Sequence, residues 1–239
     1  MKNNKKVYYV PTTKQAEILD KHPQPSKSYI PKWYKNMKNE TETLDGKKIP
    51  SGKMCIPFLD SFTTGYTQEL PADIEFIFIG IDPDTGRDLY SYKWSGEFRP
   101  VSSRGEELGE KNIFPKFDGY SNSEFHWNSV WEPKTPNGYS TMYFHPNNRL
   151  DLPFHTLTGI IDTDKWSIGG PVPFLLKSGF SGIIPAGTPI YQFVFIKRDK
   201  WKYFKEKFND EIIRKNAHEI KKFISNGYKN IIWQKKEYL

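Results

Sequence analysis

Cysteine occurs once in the 239 residues, at Cys55. An internal disulfide is therefore excluded, and a lone thiol within "MCIPF" reads as a small buried apolar residue rather than a nucleophile. That usage fits synthesis in a reducing, intracellular setting. Long apolar runs are missing too: no stretch approaches the roughly 18 uninterrupted apolar residues of a membrane span, and the basic N-terminus has no apolar signal core. A soluble protein, or one assembled into something soluble, is expected, with no membrane partner. Histidine is sparse, with 5 residues and no short His-x-His or His-x-Asp pair. His126, His145 and His155 with Asp151 form a rival set for a divalent metal, but each histidine reads first as an ordinary strand or loop residue, and no metal site is assigned. No Gly-rich phosphate cradle of the P-loop or dinucleotide type is present.

Charge of both signs is plentiful. The 35 Lys and Arg against 28 Asp and Glu give +7, which permits an anionic partner such as a nucleotide. Much of the excess lies in "MKNNKK" and "IKRDKWKYFKEKF", which read as solvated charged faces, so nucleic acid is not expected as a partner. A chain of this length suits one domain with a sizeable core.

Punctuation divides the chain into three parts. Residues 1–53 carry Pro11, Pro23, Pro25, Pro31 and Pro50 and one short helical stretch, "TTKQAEILDKH"; this reads as an extended arm wrapped on the domain. Its "SYIPKWYKNM" interleaves Tyr29, Trp33 and Tyr34 with lysines, a pattern that can stack on bases but more often pins an arm to its own domain. Residues 54–198 switch to short runs such as "IEFIFIGI", "LYSYKW", "YSTMYF" and "IYQFVFI", divided by "DPDTG", "TPNG" and "PAGTP". Such runs are strand signals, and their spacing predicts an all-β antiparallel core. "SSRGEELGEKNIFPKFDGYSNSEF" lacks periodicity and reads as a long loop. In residues 199–239, Trp201, Phe204, Phe208, Ile212, Ile220 and Ile224 recur at three- and four-residue steps, predicting an amphipathic helix that stops at Gly227. The last "YKNIIWQKKEYL" reads as a final strand or an anchoring tail.

Two acidic motifs need separate readings. "IDPDTGRD" alternates carboxylates like a calcium loop, but Pro83 interrupts it and no twelfth-position Glu follows, so it reads as a hairpin turn. In "TGIIDTDKW" (158–166), Asp162 and Asp164 follow an apolar run. An Asp-Thr-Asp turn is commonly satisfied by its own side-chain-to-backbone hydrogen bonds; Gly159 permits close backbone approach, which would also suit a hairpin lining a cleft.

Four segments taken in order, "SFTTGYTQELPADIEF", "TPNGYSTMYFHPNNRL", "TGIIDTDKW" and "GIIPAGTPIYQFVFIKR", resemble the trimeric dUTPase and dCTP deaminase superfamily. The same segments, with "SYIPKWYKNM", "CIPFLDSFTTGY" and "NRLDLPF", more closely resemble uncharacterised proteins of large tailed bacteriophages. The resemblance implies a β-clip, a distorted barrel, and a homotrimer with sites between subunits; the Pro-rich N-terminal arm is expected to lie across that barrel and the amphipathic C-terminal helix to follow it. It implies a nucleotide or similar anion as ligand, possible other phage proteins as partners, and residence in the host cytoplasm, or in the virion if the fold is only a scaffold.

Carried over residue by residue, the resemblance gives Asp162 the place of the carboxylate that activates water, with Mg²⁺ needed only if a nucleotide is hydrolysed. Lys165 falls where the aromatic sugar platform stands, with Trp166 displaced by one. The Arg-Ser phosphate motif becomes Asn147, Asn148, Arg149 and Leu150, in which Arg149 retains a fork suited to phosphate. The Gly-rich closing arm is replaced. The expected ligand-binding residues are Tyr66, Asn148, Arg149, Gly159, Asp164, Lys165 and Trp166. Binding is expected rather than efficient pyrophosphate release.

Overall fold

The computed structural model describes residues 5–103, 114–165, 170–221 and 227–238. Antiparallel β-structure dominates, as the short apolar runs predict. The central sheet of five strands has the order β13 (Gly159–Ile161), β11 (Tyr139–Phe144), β16 (Pro189–Lys197), β5 (Tyr66–Glu69) and β2 (Gln24–Pro25). Proline sits where a strand tolerates it, starting β16 at Pro189 and on the edge strand β2 at Pro25.

A second sheet orders β12 (Phe154–Thr156), β14 (Val172–Leu176), β9 (Phe125–Trp127) and β8 (Val101–Ser103). A third orders β15 (Gly182–Ile184), β6 (Ile74–Ile81) and β7 (Asp88–Trp94). These three sheets share one aromatic core. Phe76, Phe125, Phe174 and Phe193 are buried in it, and Trp127 stacks on Phe174 with centroids 3.7 Å apart. The Trp127 indole N–H would be costly to bury unpaired. It donates to Thr156 Oγ1 at 3.1 Å, and that hydroxyl donates in turn to the Ile190 carbonyl at 2.6 Å. The two small remaining sheets pair β1 (Tyr8–Pro11) with β10 (Trp131–Lys134) and β3 (Glu40–Glu42) with β4 (Lys48–Pro50).

The N-terminal segment is pinned to the domain. β1 and β2 each add to a strand of the core region, and Tyr29 Oη donates to Glu69 at 3.0 Å. Trp33 and Tyr34, in helix α2 (Lys32–Asn36), pack edge-on against Phe62 and Phe58 of helix α3 (Ile56–Thr63). The predicted early helix is α1 (Lys14–Leu19), capped by the Thr13 hydroxyl. At "SFTTGY", Gly65 has φ +71° and a Cβ there would stand 2.0 Å from the Phe193 carbonyl oxygen. Only glycine allows β5 to start this close to β16.

Three expectations are corrected. Cys55 is exposed rather than buried; it precedes α3 in extended conformation, where its carbonyl takes the Leu59 N–H, so its role is backbone and its thiol faces solvent. The predicted amphipathic helix does not begin at Trp201. Residues 201–209 have no regular structure, and helix α4 is Asp210–Lys221. The Asn209 side chain accepts the Ile212 N–H at 3.1 Å, and Asp210 and Glu211 occupy the first turn, so the start signal is the cap and not the apolar period. Gly227 is no stop either: its backbone is helical and leads into a π turn at Tyr228–Ile232. Residues 222–226, with Ile224, and 104–113 of the long loop lie outside the described residues.

The final residues are an anchoring tail. Trp233 Nε1 and Lys236 Nζ both donate to Asp60 Oδ2 of α3, at 2.8 and 2.6 Å. Among the described residues no helix is long and apolar enough to cross a membrane.

Candidate functional site

The "TGIIDTDKW" stretch forms β13 and then a turn in which the Lys165 N–H returns to the Asp162 carbonyl at 2.9 Å. Thr163 is buried at its centre, its hydroxyl 2.8 Å from those of both Thr135 and Thr141. The two aspartates point to different partners. Asp164 has a side chain only 1% exposed; its Oδ2 accepts the Gly138 N–H at 2.8 Å and the Arg198 guanidinium, while Oδ1 is buried without a hydrogen bond. The Arg198 hydrogen bond, then the Gly138 N–H, hold its carboxyl down at about 2.

Asp162 is largely exposed, and its Oδ1 accepts the Ser140 hydroxyl at 2.6 Å and pairs with Arg198 Nη1 at 3.1 Å. Arg198 also donates to the Tyr139 carbonyl and to Ser140 Oγ, each at 2.9 Å. One guanidinium at the end of β16 thus clamps the ends of β11 and β13. Two carboxylates facing Arg198 and the neighbouring Lys165 leave little net charge at this turn.

Asn148 and Arg149 belong to the opposite end of β11. Asn148 turns the chain with φ +58° and donates to Ser61 Oγ at 2.7 Å. The buried Gln192 supplies the other side of this corner: its Oε1 accepts the Asn147 N–H at 3.0 Å, and its Nε2 donates to the Ser61 carbonyl at 3.1 Å. The apolar-Gln-apolar strand is therefore a structural tie between the turn and α3. Arg149 forms a forked pair with Asp151, two contacts at 2.9 Å. Burial would raise the Asp151 carboxyl, but the hydrogen bonds and charge of Arg149 keep it below its ordinary range.

The histidines are engaged as well. His145 Nδ1 accepts the Thr156 N–H at 3.2 Å, so Nε2 carries the proton that faces the Arg149 carbonyl at 3.1 Å. Burial lowers His145 to about 4 and also lowers His155, whose ring stacks on it at 4.6 Å. His145 thus has no free lone pair for a metal. Among the described residues no group of three His, Cys, Asp or Glu could hold one. "IDPDTGRD" is a hairpin turn in which Asp82 Oδ1 accepts the Asp84 and Thr85 N–H groups, each at 2.9 Å.

Of the residues expected at one cleft, Asp162, Asp164 and Lys165 come together, whereas Asn148 and Arg149 do not join them. The β11 ladder lies between, and a strand of this length spans roughly 20 Å. Gly159 meets nothing within 4 Å where a Cβ would stand, so no close approach within this chain demands glycine there. Trp166 lies outside the described residues.

Tyr66 marks a different concavity at the Asp162 end. Its ring stacks on Phe193 with centroids 5.8 Å apart. With Lys5, Lys6, Tyr8, Tyr139 and Phe195 it lines a groove of about 480 Å³. Lys5 Nζ stands 4.3 Å above the Tyr139 ring, a cation–π contact, and Tyr8 is exposed. The Tyr139 carbonyl is one of the groups held by Arg198, so groove and acidic turn adjoin. Apart from Tyr66, sequence reasoning missed these residues. The basic-aromatic alternation of "KKVYY" carried the signal, hidden in a terminus read as a solvated face. Compared with protein-family models and with curated proteins, the chain matches none.

Proposed function

We propose that this chain is a dUTPase-like β-clip protein of a large tailed bacteriophage that binds a nucleotide or similar anionic ligand and does not hydrolyse dUTP efficiently. One observation carries the binding reading: the groove at Tyr66 and Tyr139 joins aromatic side chains to two lysines, of which Lys5 covers the Tyr139 ring and would move aside for a base. Ring faces suit a base, and lysines suit phosphate. In this reading the fold is a distorted barrel, the assembly a homotrimer in the host cytoplasm, and the separated Arg149 and Asp162 ends approach one another only across subunits.

Weak catalysis is expected because the candidate groups are already bonded within the chain. Asp162 Oδ1 is engaged by Ser140 and Arg198, and Arg149 by Asp151. Each phosphate donor missing in a transition state costs roughly 3 kcal/mol, or about a hundredfold in rate. A thermal-shift series with dUTP, dCTP, dUMP and inorganic phosphate, with and without Mg²⁺, tests the proposal. Stabilisation by nucleotides beyond that by phosphate supports it, and a flat response refutes it.

A second reading, a virion or assembly protein that uses the fold as a scaffold, is favoured by a different observation. Trp201, Tyr203, Phe204 and Phe208 are all more than three-quarters exposed, a cluster that isolated surface residues do not explain. Copurification with assembled particles, with no nucleotide response, separates it from the first.

A further inference from the structure

The segment after β16 is a strap held at both ends. Its start is fixed where Arg198 pairs with Asp164, and the chain beyond it is fixed where Trp233 and Lys236 share the Asp60 carboxylate. Between these tethers it presents Trp201, Phe204, Phe208 and Ile212 to solvent.

A second apolar surface lies on the outer face of the β15–β6–β7 sheet. Ile183 is paired with Glu75, and Ile77 with Ser91, so Ile77, Ile183 and Leu89 point away from Phe76 and Tyr90, which face the core. All three are exposed. The charges around the two surfaces are opposite. Residues 200–208 contain four lysines and one glutamate, whereas residues 73–93 contain, besides the buried Asp88, four carboxylates and two cations.

The two surfaces leave from opposite ends of one strand. The β15–β6 pair lies beside the start of β16, where Leu70 N–H reaches the Thr188 carbonyl, and the strap leaves after Lys197. Nine strand residues span roughly 30 Å.

We infer that the strap of one copy, around Phe204 and Phe208, packs on the Ile77–Ile183 face of a second copy. The contact is heterologous, joining two different surfaces, so it closes into a ring when its rotation allows. A three-membered ring would be the trimer of the proposed β-clip, but the contact stands whether or not a nucleotide binds.

Sedimentation velocity on the full chain at micromolar concentration tests the contact with two variants, F204D/F208D in the strap and I77D/I183D on the sheet face. All four positions are exposed, and far-UV circular dichroism with melting curves confirms each fold. The unsubstituted chain is expected to assemble and each variant alone to sediment as a monomer. An equimolar mixture is expected to regain dimer mass, because the first variant keeps the face and the second keeps the strap. The inference is overturned if the unsubstituted chain is monomeric, if only the strap variant loses assembly, or if folded variants fail to complement. It is also overturned if the strap instead carries the monomer onto phosphatidylserine vesicles.

Discussion

Arg198 donates to the carboxylate of Asp164, whose side chain is 1% exposed, and to that of Asp162, which is largely open to water. Two aspartates two residues apart are thus separated by burial into a structural group and a surface group. The depressed Asp164 carboxyl, held at about 2, makes this clamp pH-dependent. Because its folded value lies below the ordinary carboxylate value, its contribution is present above about pH 4 and lost as pH falls towards 2. Asp164→Asn is expected to flatten the acid limb of the stability curve in that window. Urea unfolding at pH 2 to 6 reads this out, and an unchanged slope would refute it.

The approach of Gly65 to β16 gives a sharper stability prediction. Gly46 and Gly65 have nearly the same φ, +78° and +71°, but a Cβ at Gly46 meets nothing, whereas one at Gly65 collides with the Phe193 carbonyl oxygen. Gly46→Ala should cost about 1 kcal/mol for the backbone conformation alone. Gly65→Ala should cost at least about 3 kcal/mol, because the clash adds to that strain. Chemical denaturation of both variants compares them, and equal losses would contradict the packing account.

The difference between these glycines was invisible in the sequence, since both stand in turn-like contexts. Local signals were legible: "IEFIFIGI" alternates Ile74 and Phe76 inward with Glu75 and Ile77 outward, and it is β6. Signals that depend on a distant partner were not. Gln192 reads as a family signature but acts as a tie to Ser61 and Asn147, residues 131 and 45 positions away. The Trp201 stripe has helical spacing, yet spacing forms a helix only when its apolar face finds something to cover it. Arg149 and Asp162 look like one site because the sequence sets them thirteen residues apart, and the β11 ladder then holds them at opposite ends.

Glu132 supplies an opposite pH dependence. Its buried carboxylate accepts the Tyr143 hydroxyl at 3.0 Å and the Gly170 N–H at 3.3 Å, and burial raises it above the ordinary Glu value. The protonated form is therefore favoured in the folded chain, and stability is lost as pH rises through the raised value. Glu132→Gln keeps the shape and an acceptor without the charge. It should melt higher than the unsubstituted chain at pH 8, with the gap closing as the pH is lowered. A lower melting temperature at pH 8 would mean that the hydrogen bond from the neutral Tyr143 hydroxyl to the charged carboxylate outweighs the burial penalty.

The nucleotide reading rests on separable residues, which allows binding and chemistry to be tested apart. Lys5 and Lys6 line the groove, while Asp162 sits at the adjoining turn with its Oδ1 already engaged. Replacing both lysines by alanine removes two cations and should lower nucleotide affinity roughly tenfold, about 1.4 kcal/mol, with a salt dependence weaker than that of the unsubstituted chain. Asp162→Asn should leave the affinity within about twofold, since it contributes to the turn and not to the groove. Titration calorimetry with dUTP measures both. Rapid pyrophosphate release from dUTP with Mg²⁺ that vanishes in Asp162→Asn would instead make Asp162 the reacting carboxylate, because a turn residue bonded to Ser140 and Arg198 has no reason to control turnover.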